Sequence, residues 1–215
     1  MATSEPNDAT PFLPGRRSLK ALREASAGCR GCHLWRGATQ TVFGEGRKGS
    51  RVMLVGEQPG DREDRAGEPF VGPAGRELDR GLEAAGIDRA EAYVTNVVKH
   101  FKFEERGRRR IHQTPKRFEI EACKPWLEEE LRVVKPEALV LLGATAAKAL
   151  LGSSFRVTRH RGEPLDSDLA PLVTATIHPS AILRGPDETS RQKEREAFAE
   201  DLRMVAKALA ELAPA

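Results

Sequence analysis

The chain has 215 residues, 39% hydrophobic and 31% charged, enough apolar material for one well-buried domain. No apolar run approaches the roughly 20 residues of a membrane span, and no internal period suggests a solenoid. Net charge is only +3, yet residues 99–117 carry eight Lys or Arg against two Glu, so the remainder is slightly acidic. Such concentration points to a local polyanion contact, with nucleic acid the natural candidate.

Residues 1–15 are polar, rich in proline near their end, and lack the apolar stretch of a secretory signal, so they read as a disordered tail. Residues 16–215 are expected to form one cytoplasmic domain. A short helix over 18–27 leads into Cys29-Arg30-Gly31-Cys32, a pair with metal-ligand spacing. The apolar run 51–56 reads as a buried strand that empties into Gly56-Glu57-Gln58-Pro59-Gly60-Asp61. Glycines on both sides of Pro59 permit close backbone approach to a ligand, and Glu57 sets a carboxylate at the strand's mouth. Leu78, Leu82 and Ala85 share one face of a helix over 75–85, and 92–98 is a second strand.

The basic segment that follows holds His100 at its start and His112 at its end, within an inserted loop spanning 101–114. A helix over 115–134, patterned by Phe118, Ala122, Trp126 and Leu131, contains Cys123. Strand 138–143, helix 144–151 and strand 172–177 lead to His178-Pro179-Ser180-Ala181-Ile182-Leu183-Arg184, and a helix over 190–212 closes the chain. Alternating strands and helices predict an α/β fold, three layers deep, around a central four-stranded parallel sheet. Ligands in such sheets bind beyond the carboxyl ends of the strands, which makes 56–61, 96–100, 143–146 and 178–184 the site loops.

Three cysteines in a reducing compartment do not make a disulfide framework, and their odd number asks for a fourth ligand. His100 completes a Cys₃His set that suits zinc or an iron–sulfur cluster with one imidazole ligand. Spacing alone leaves zinc, a cluster and an unmetallated pair all open.

Several motifs then occur in a telling order: Gly56-Glu57-Gln58-Pro59-Gly60, Phe70-Val71-Gly72-Pro73-Ala74-Gly75, Val94-Thr95-Asn96-Val97-Val98-Lys99, Leu142-Gly143-Ala144-Thr145-Ala146 and His178-Pro179-Ser180. In this the chain resembles the iron–sulfur uracil-DNA glycosylases over roughly residues 20–210. Ordinary members carry a fourth cysteine where this chain has His100, and they lack the insertion that follows. Both departures resemble the UdgX branch, whose basic loop ends Arg-Arg-Ile-His; here it reads Arg108-Arg109-Arg110-Ile111-His112, with Arg108 where the branch more usually has Lys. The resemblance implies a uracil-DNA glycosylase fold and a structural [4Fe–4S] cluster on Cys29, Cys32, His100 and Cys123. It also implies an enzyme that excises uracil from DNA and then stays joined to C1′ of the abasic deoxyribose through His112.

The residues fit such chemistry. A glycosylase reaches a stacked base by flipping it out, and single-stranded substrate lowers that cost. Phe70 is placed to stack on uracil, and Asn96 offers a donor and an acceptor to its O4/N3 edge. Departure of a uracil anion from an oxocarbenium-like sugar needs negative charge below the sugar, from Glu57, and donors at uracil O2. His178 supplies one donor, with backbone N–H groups after Gly56, including those of Gln58 and Asp61. Lys102, Arg108, Arg109 and Arg110 would hold phosphates, and Arg184 would enter the space left by the flipped base. The expected partners are uracil-containing DNA, single-stranded first and double-stranded second, with free uracil as product; no membrane is involved, and a monomer acting at the nucleoid is expected. Two other readings stay open: a hydrolytic, multiple-turnover glycosylase, and a non-catalytic DNA-binding module built on zinc.

Overall fold

A computed structural model describes residues 7–212. The strands are β1 (Val52–Gly56), β2 (Ala92–Asn96), β3 (Phe103–Arg106), β4 (Arg109–His112), β5 (Ala138–Leu142), β6 (Pro164–Leu165) and β7 (Leu172–Thr176). The helices are α1 (Leu19–Ser26), α2 (Asp61–Ala66), α3 (Pro73–Ala84), α4 (Arg117–Val134), α5 (Ala144–Leu151), α6 (Val157–His160), α7 (Ser180–Leu183) and α8 (Glu188–Leu212). Among the described residues, no helix is long and apolar enough to cross a membrane.

The main sheet runs β2-β1-β5-β7-β6. It has five strands rather than the expected four, because β6 adds a two-residue antiparallel edge beside β7. With Pro164 in it and only two residues long, β6 carries no period that the sequence reveals. The four long strands are parallel, as expected, and buried along their whole length. Alternation along β1 explains the layering. Met53 and Val55 meet Leu22 of α1, Trp126 and Leu127 of α4 and Ala146 of α5 on one face. Val52 and Leu54 meet Leu78 and Leu82 of α3 and Phe198, Leu202 and Val205 of α8 on the other.

Two expectations change. The strand expected over 92–98 stops at Asn96, although Val97 and Val98 still donate backbone bonds to the carbonyls of Gly56 and Glu57. Of the tail expected over 1–15, residues 1–6 lie outside the described residues. The remainder is packed: Ala9 is fully buried, its N–H bonds the Ala122 carbonyl at 2.8 Å, and Thr10–Phe12 form a 3₁₀ turn. Gly31 makes room for it, since a Cβ there would lie 2.5 Å from the Asp8 carbonyl oxygen.

Candidate active site

All four site loops meet at the carboxyl end of the parallel sheet, around a cleft of about 760 Å³. Its walls include Glu57, Phe70, Asn96, His112, Thr145 and His178, with Gln58, Asp61 and Arg184 at its margins. Gly56 lies beneath. A Cβ on it would sit 2.4 Å from Asn96 Oδ1 and 2.7 Å from the Phe70 ring, so the glycine is what lets these two side chains share the floor.

Phe70 is held in a left-handed backbone conformation, φ 59°, which costs a bulky residue about 1–2 kcal/mol. Gly75 permits it, because a Cβ there would lie 1.6 Å from the Phe70 carbonyl oxygen. Glu63 of α2 ties the neighbouring turns together by accepting the N–H groups of Gly60 at 3.2 Å and Gly72 at 2.7 Å. The strained turn aims the Phe70 ring into the cleft, 6.1 Å from the His178 ring and inclined to it by 26°.

Asn96 is 3% exposed, and its Oδ1 has no hydrogen-bond partner. A buried acceptor left without a donor costs about 1–3 kcal/mol, so its presence at a cleft floor calls for a ligand N–H. His178 is prepared in the complementary sense. Its Nδ1 accepts the backbone N–H of Ser180 at 3.1 Å, which places the ring proton on Nε2. Burial, then the charge of Arg184, then His112, lower its pKa to about 4, so it is a neutral donor at physiological pH. Gly143, φ 90°, keeps the backbone clear of it; a Cβ there would lie 2.9 Å from His178 Cβ.

Glu57 accepts a hydrogen bond from Thr145 Oγ1 on one oxygen and faces His112 Nε2 at 3.4 Å with the other. The expected basic loop is in fact a hairpin: β3 pairs antiparallel with β4 through a Gly107-Arg108 turn, in which Gly107 has φ 62°. His112 pairs with Phe103 at the hairpin's base, not its tip, which is how it reaches Glu57.

The hairpin is fastened at both ends. Gln58 Nε2 donates to the carbonyls of Lys102 and Gln113, each at 3.1 Å, and its Oε1 accepts the Lys102 N–H at 3.2 Å. Arg110 turns inward to Asp61 and to fully buried Asp64, the latter at 2.6 Å, and lies over the Phe101 and Phe103 rings. Two expectations are corrected accordingly. The guanidinium of Arg110 and the ammonium of Lys102, paired with Glu119 at 2.8 Å, are committed within the protein and are not available to phosphates. The side chains of Gln58 and Asp61 brace the hairpin, leaving only their backbone to face a base. Arg108 and Arg109 are exposed on the hairpin, and Arg184, bonded to Ser180 Oγ at 3.1 Å, is exposed at the rim.

Behind the sheet, Cys29, Cys32 and Cys123 are free thiols packed in one apolar cluster. Among the described residues no group of three or more His, Cys, Asp or Glu side chains is gathered closely enough to hold a metal ion. The chemistry of the donor set nonetheless suits one. Burial pushes the Cys123 thiol up to about 12, with smaller contributions from Cys32 and Cys29, and a bound cation is what offsets such a cost for thiolates. The N–H groups of Lys99 and Trp126 donate to the sulfurs of Cys123 at 3.2 Å and Cys29 at 3.3 Å, as outer-shell donors to ligating sulfur do. His100 Nε2 bonds Thr41 Oγ1 at 2.9 Å, so Nδ1 is the ring atom that a metal would have to take.

Sequence reasoning misses the supporting groups: Thr145 under Glu57, Ser180 behind His178, and Asp64 and Thr39 around Arg110. Only Thr145 and Ser180 lie within the ordered motifs, Leu142–Ala146 and His178–Ser180, that could have drawn attention to them.

A parallel α/β sheet whose strand ends join a carboxylate, a neutral imidazole donor, an aromatic ring and an orphaned amide oxygen is a pocket for a flat, polar heterocycle. The chain belongs to the uracil-DNA glycosylase superfamily, whose family model matches residues 43–203. It is 37% identical over 175 residues to a type-4 uracil-DNA glycosylase of Pyrobaculum aerophilum, covering 78% of this chain and 86% of that one. Corresponding proteins of Thermotoga maritima and Saccharolobus solfataricus are 35% and 32% identical, covering 81% and 89% of this chain and 88% and 87% of theirs.

Proposed function

We propose that this protein excises uracil from DNA and ends the reaction covalently joined to the abasic sugar through His112. The observation that carries uracil recognition is the unpartnered Asn96 Oδ1 at the cleft floor. Uracil presents an N3–H to it; cytosine presents a lone pair at the same place and would leave two acceptors opposed. Phe70 stacks on the base, and the flipping cost of a few kcal/mol makes single-stranded DNA the better substrate.

As the C1′–N1 bond breaks, its electrons leave with uracil. His178 Nε2–H steadies the negative charge at O2, while the Glu57 carboxylate steadies the positive sugar. The Nε2 lone pair of His112 closes on C1′ as the base leaves, the Glu57 carboxylate offsets the positive charge this puts on the ring, and the ring then gives up its Nδ1 proton to solvent. The new C–N bond has no good leaving group, so turnover stops after one event. A hydrolytic enzyme would seat a water beside Glu57; the 3.4 Å approach of His112 favours the histidine in that place. Exposed Arg108 and Arg109 hold the DNA backbone beside the cleft, and exposed Arg184 at the rim enters the space left by the flipped base.

Cys29, Cys32, His100 and Cys123 would hold a [4Fe–4S] cluster that cross-links the N-terminal segment, the end of β2 and α4 and supplies no step of the reaction. Brown colour with broad visible absorption is expected of the purified protein, whereas a zinc protein would be colourless.

Incubation with uracil-containing single-stranded DNA should release free uracil, measured by chromatography. Asn96→Ala should slow release roughly ten- to hundredfold, the worth of a lost buried hydrogen bond of about 1–3 kcal/mol. No uracil from the intact protein would overturn the reading.

A further inference from the structure

We propose that Lys99 and Glu130, which do not line the cleft, are positioning residues for base recognition and act through the backbone of Asn96. The proposal rests on Asn96 reading uracil, as argued above.

β2 is an edge strand of the sheet. On its outer side Val94 exchanges both backbone bonds with Glu45, each at 2.8 Å. Two residues further along, the N–H and C=O of Asn96 point to that same side by the period of a strand. Among the described residues no strand pairs with β2 there. Instead Lys99 Nζ donates to the Asn96 carbonyl at 2.7 Å and to Thr95 Oγ1 at 2.6 Å, and forms an ion pair with Glu130. Glu130 in turn accepts from the Gly44 N–H at 3.1 Å, Tyr93 OH at 2.8 Å and Thr95 Oγ1 at 2.9 Å. A side-chain network thus stands in for the missing strand at the residue whose amide meets the base.

Lys99 and Glu130 are both 0% exposed. A buried ion pair is a poor source of stability, since apolar residues of similar volume often do as well. Its distinctive property is directional: it fixes where a carbonyl, and with it the attached side chain, points. Asn96 Oδ1 and the Phe70 ring crowd the place that a Cβ on Gly56 would take, 2.4 and 2.7 Å from it, so the amide meets a base stacked on Phe70 only while the Asn96 backbone holds its orientation. Lys99 also links this unit to the proposed cluster ligands, because its N–H donates to Cys123 Sγ and His100 follows it in the chain.

The test compares wild type with the charge-free double variant Lys99→Met/Glu130→Gln and with Thr95→Val, which removes only the hydroxyl between the pair and the strand. Single-turnover uracil release, inhibition by free uracil, and binding of DNA containing a tetrahydrofuran abasic analogue are measured for each. The expected result is base-specific. In the double variant the maximal rate falls tenfold or more and free uracil inhibits more weakly by a similar factor, while affinity for the analogue stays within twofold. Thr95→Val shows the same pattern at several-fold and serves alone if the double variant does not fold. Unchanged uracil inhibition in a folded variant would overturn the proposal, as would a parallel loss of uracil and analogue binding. Absence of uracil release by the wild type would instead overturn the reading of Asn96 itself.

Discussion

Three side chains of the cleft are set by neighbours that do not line up with any reacting atom of the proposed function. Ser180 N–H fixes the His178 tautomer, Thr145 holds one Glu57 oxygen, and Gly75 makes the strained Phe70 turn possible. The His178 ring has the most measurable consequence. Its pKa is about 4 in the folded chain against an ordinary 6.5, so between these values the unfolded chain binds the extra proton. This contribution is complete above pH 6.5 and is lost as pH falls toward 4, on the order of 3 kcal/mol in all. Urea midpoints should therefore fall with acidification in that window, and less so in His178→Ala; identical pH profiles for the two proteins would contradict the assignment. The same substitution should slow excision by roughly 10²–10³-fold, the usual worth of one donor to a developing anion.

At the scale of elements, the β3–β4 hairpin and α2 form one device. Replacing Arg110 by Met leaves Asp64 buried without its cation, a loss of about 3–5 kcal/mol when one partner of a buried pair is removed. The hairpin has little apolar surface to bury, so this loss is expected as undocking rather than global unfolding. Trypsin should then cut after Arg106 and Arg108 faster, and adduct formation should slow more than uracil release; unchanged proteolysis would argue against the latch. These elements are also the hardest to read from sequence. Continuous apolar runs such as Val52 to Gly56 announce buried parallel strands, and Leu78 and Leu82 announce α3, because burial imposes the period. The hairpin has only Phe103 and Ile111 as apolar signals among its eight strand residues, and the six residues of α2 include no large apolar side chain. Their structure comes from charge pairing across long sequence separations, Arg110 with Asp61 and Asp64, which no local pattern displays. For the same reason the arginine run reads as uniform in the sequence, although one of its three members faces inward.

Across the whole molecule, the positive charge concentrated around residues 99–117 lies beside the single rim where the strands end, and the cysteine cluster lies behind the sheet. Under the proposed function, that separation would put DNA grip, base reading and structural cross-linking in different regions. Removing Arg108 and Arg109 together should weaken binding of uracil-free single-stranded DNA and lower the slope of log affinity against log salt by about 0.7 for each phosphate no longer neutralised. Equal slopes for wild type and the Arg108/Arg109 double variant would remove both residues from the interface. The proposed bond between His112 and C1′ is open to direct observation. After reaction with uracil-containing single-stranded DNA, mass spectrometry of the tryptic peptide spanning residues 111–116 should find the deoxyribose adduct on His112, and His112→Ser should release abasic DNA without any adduct. An unmodified peptide beside free abasic product from the intact protein would contradict it, leaving Glu57 to direct a water.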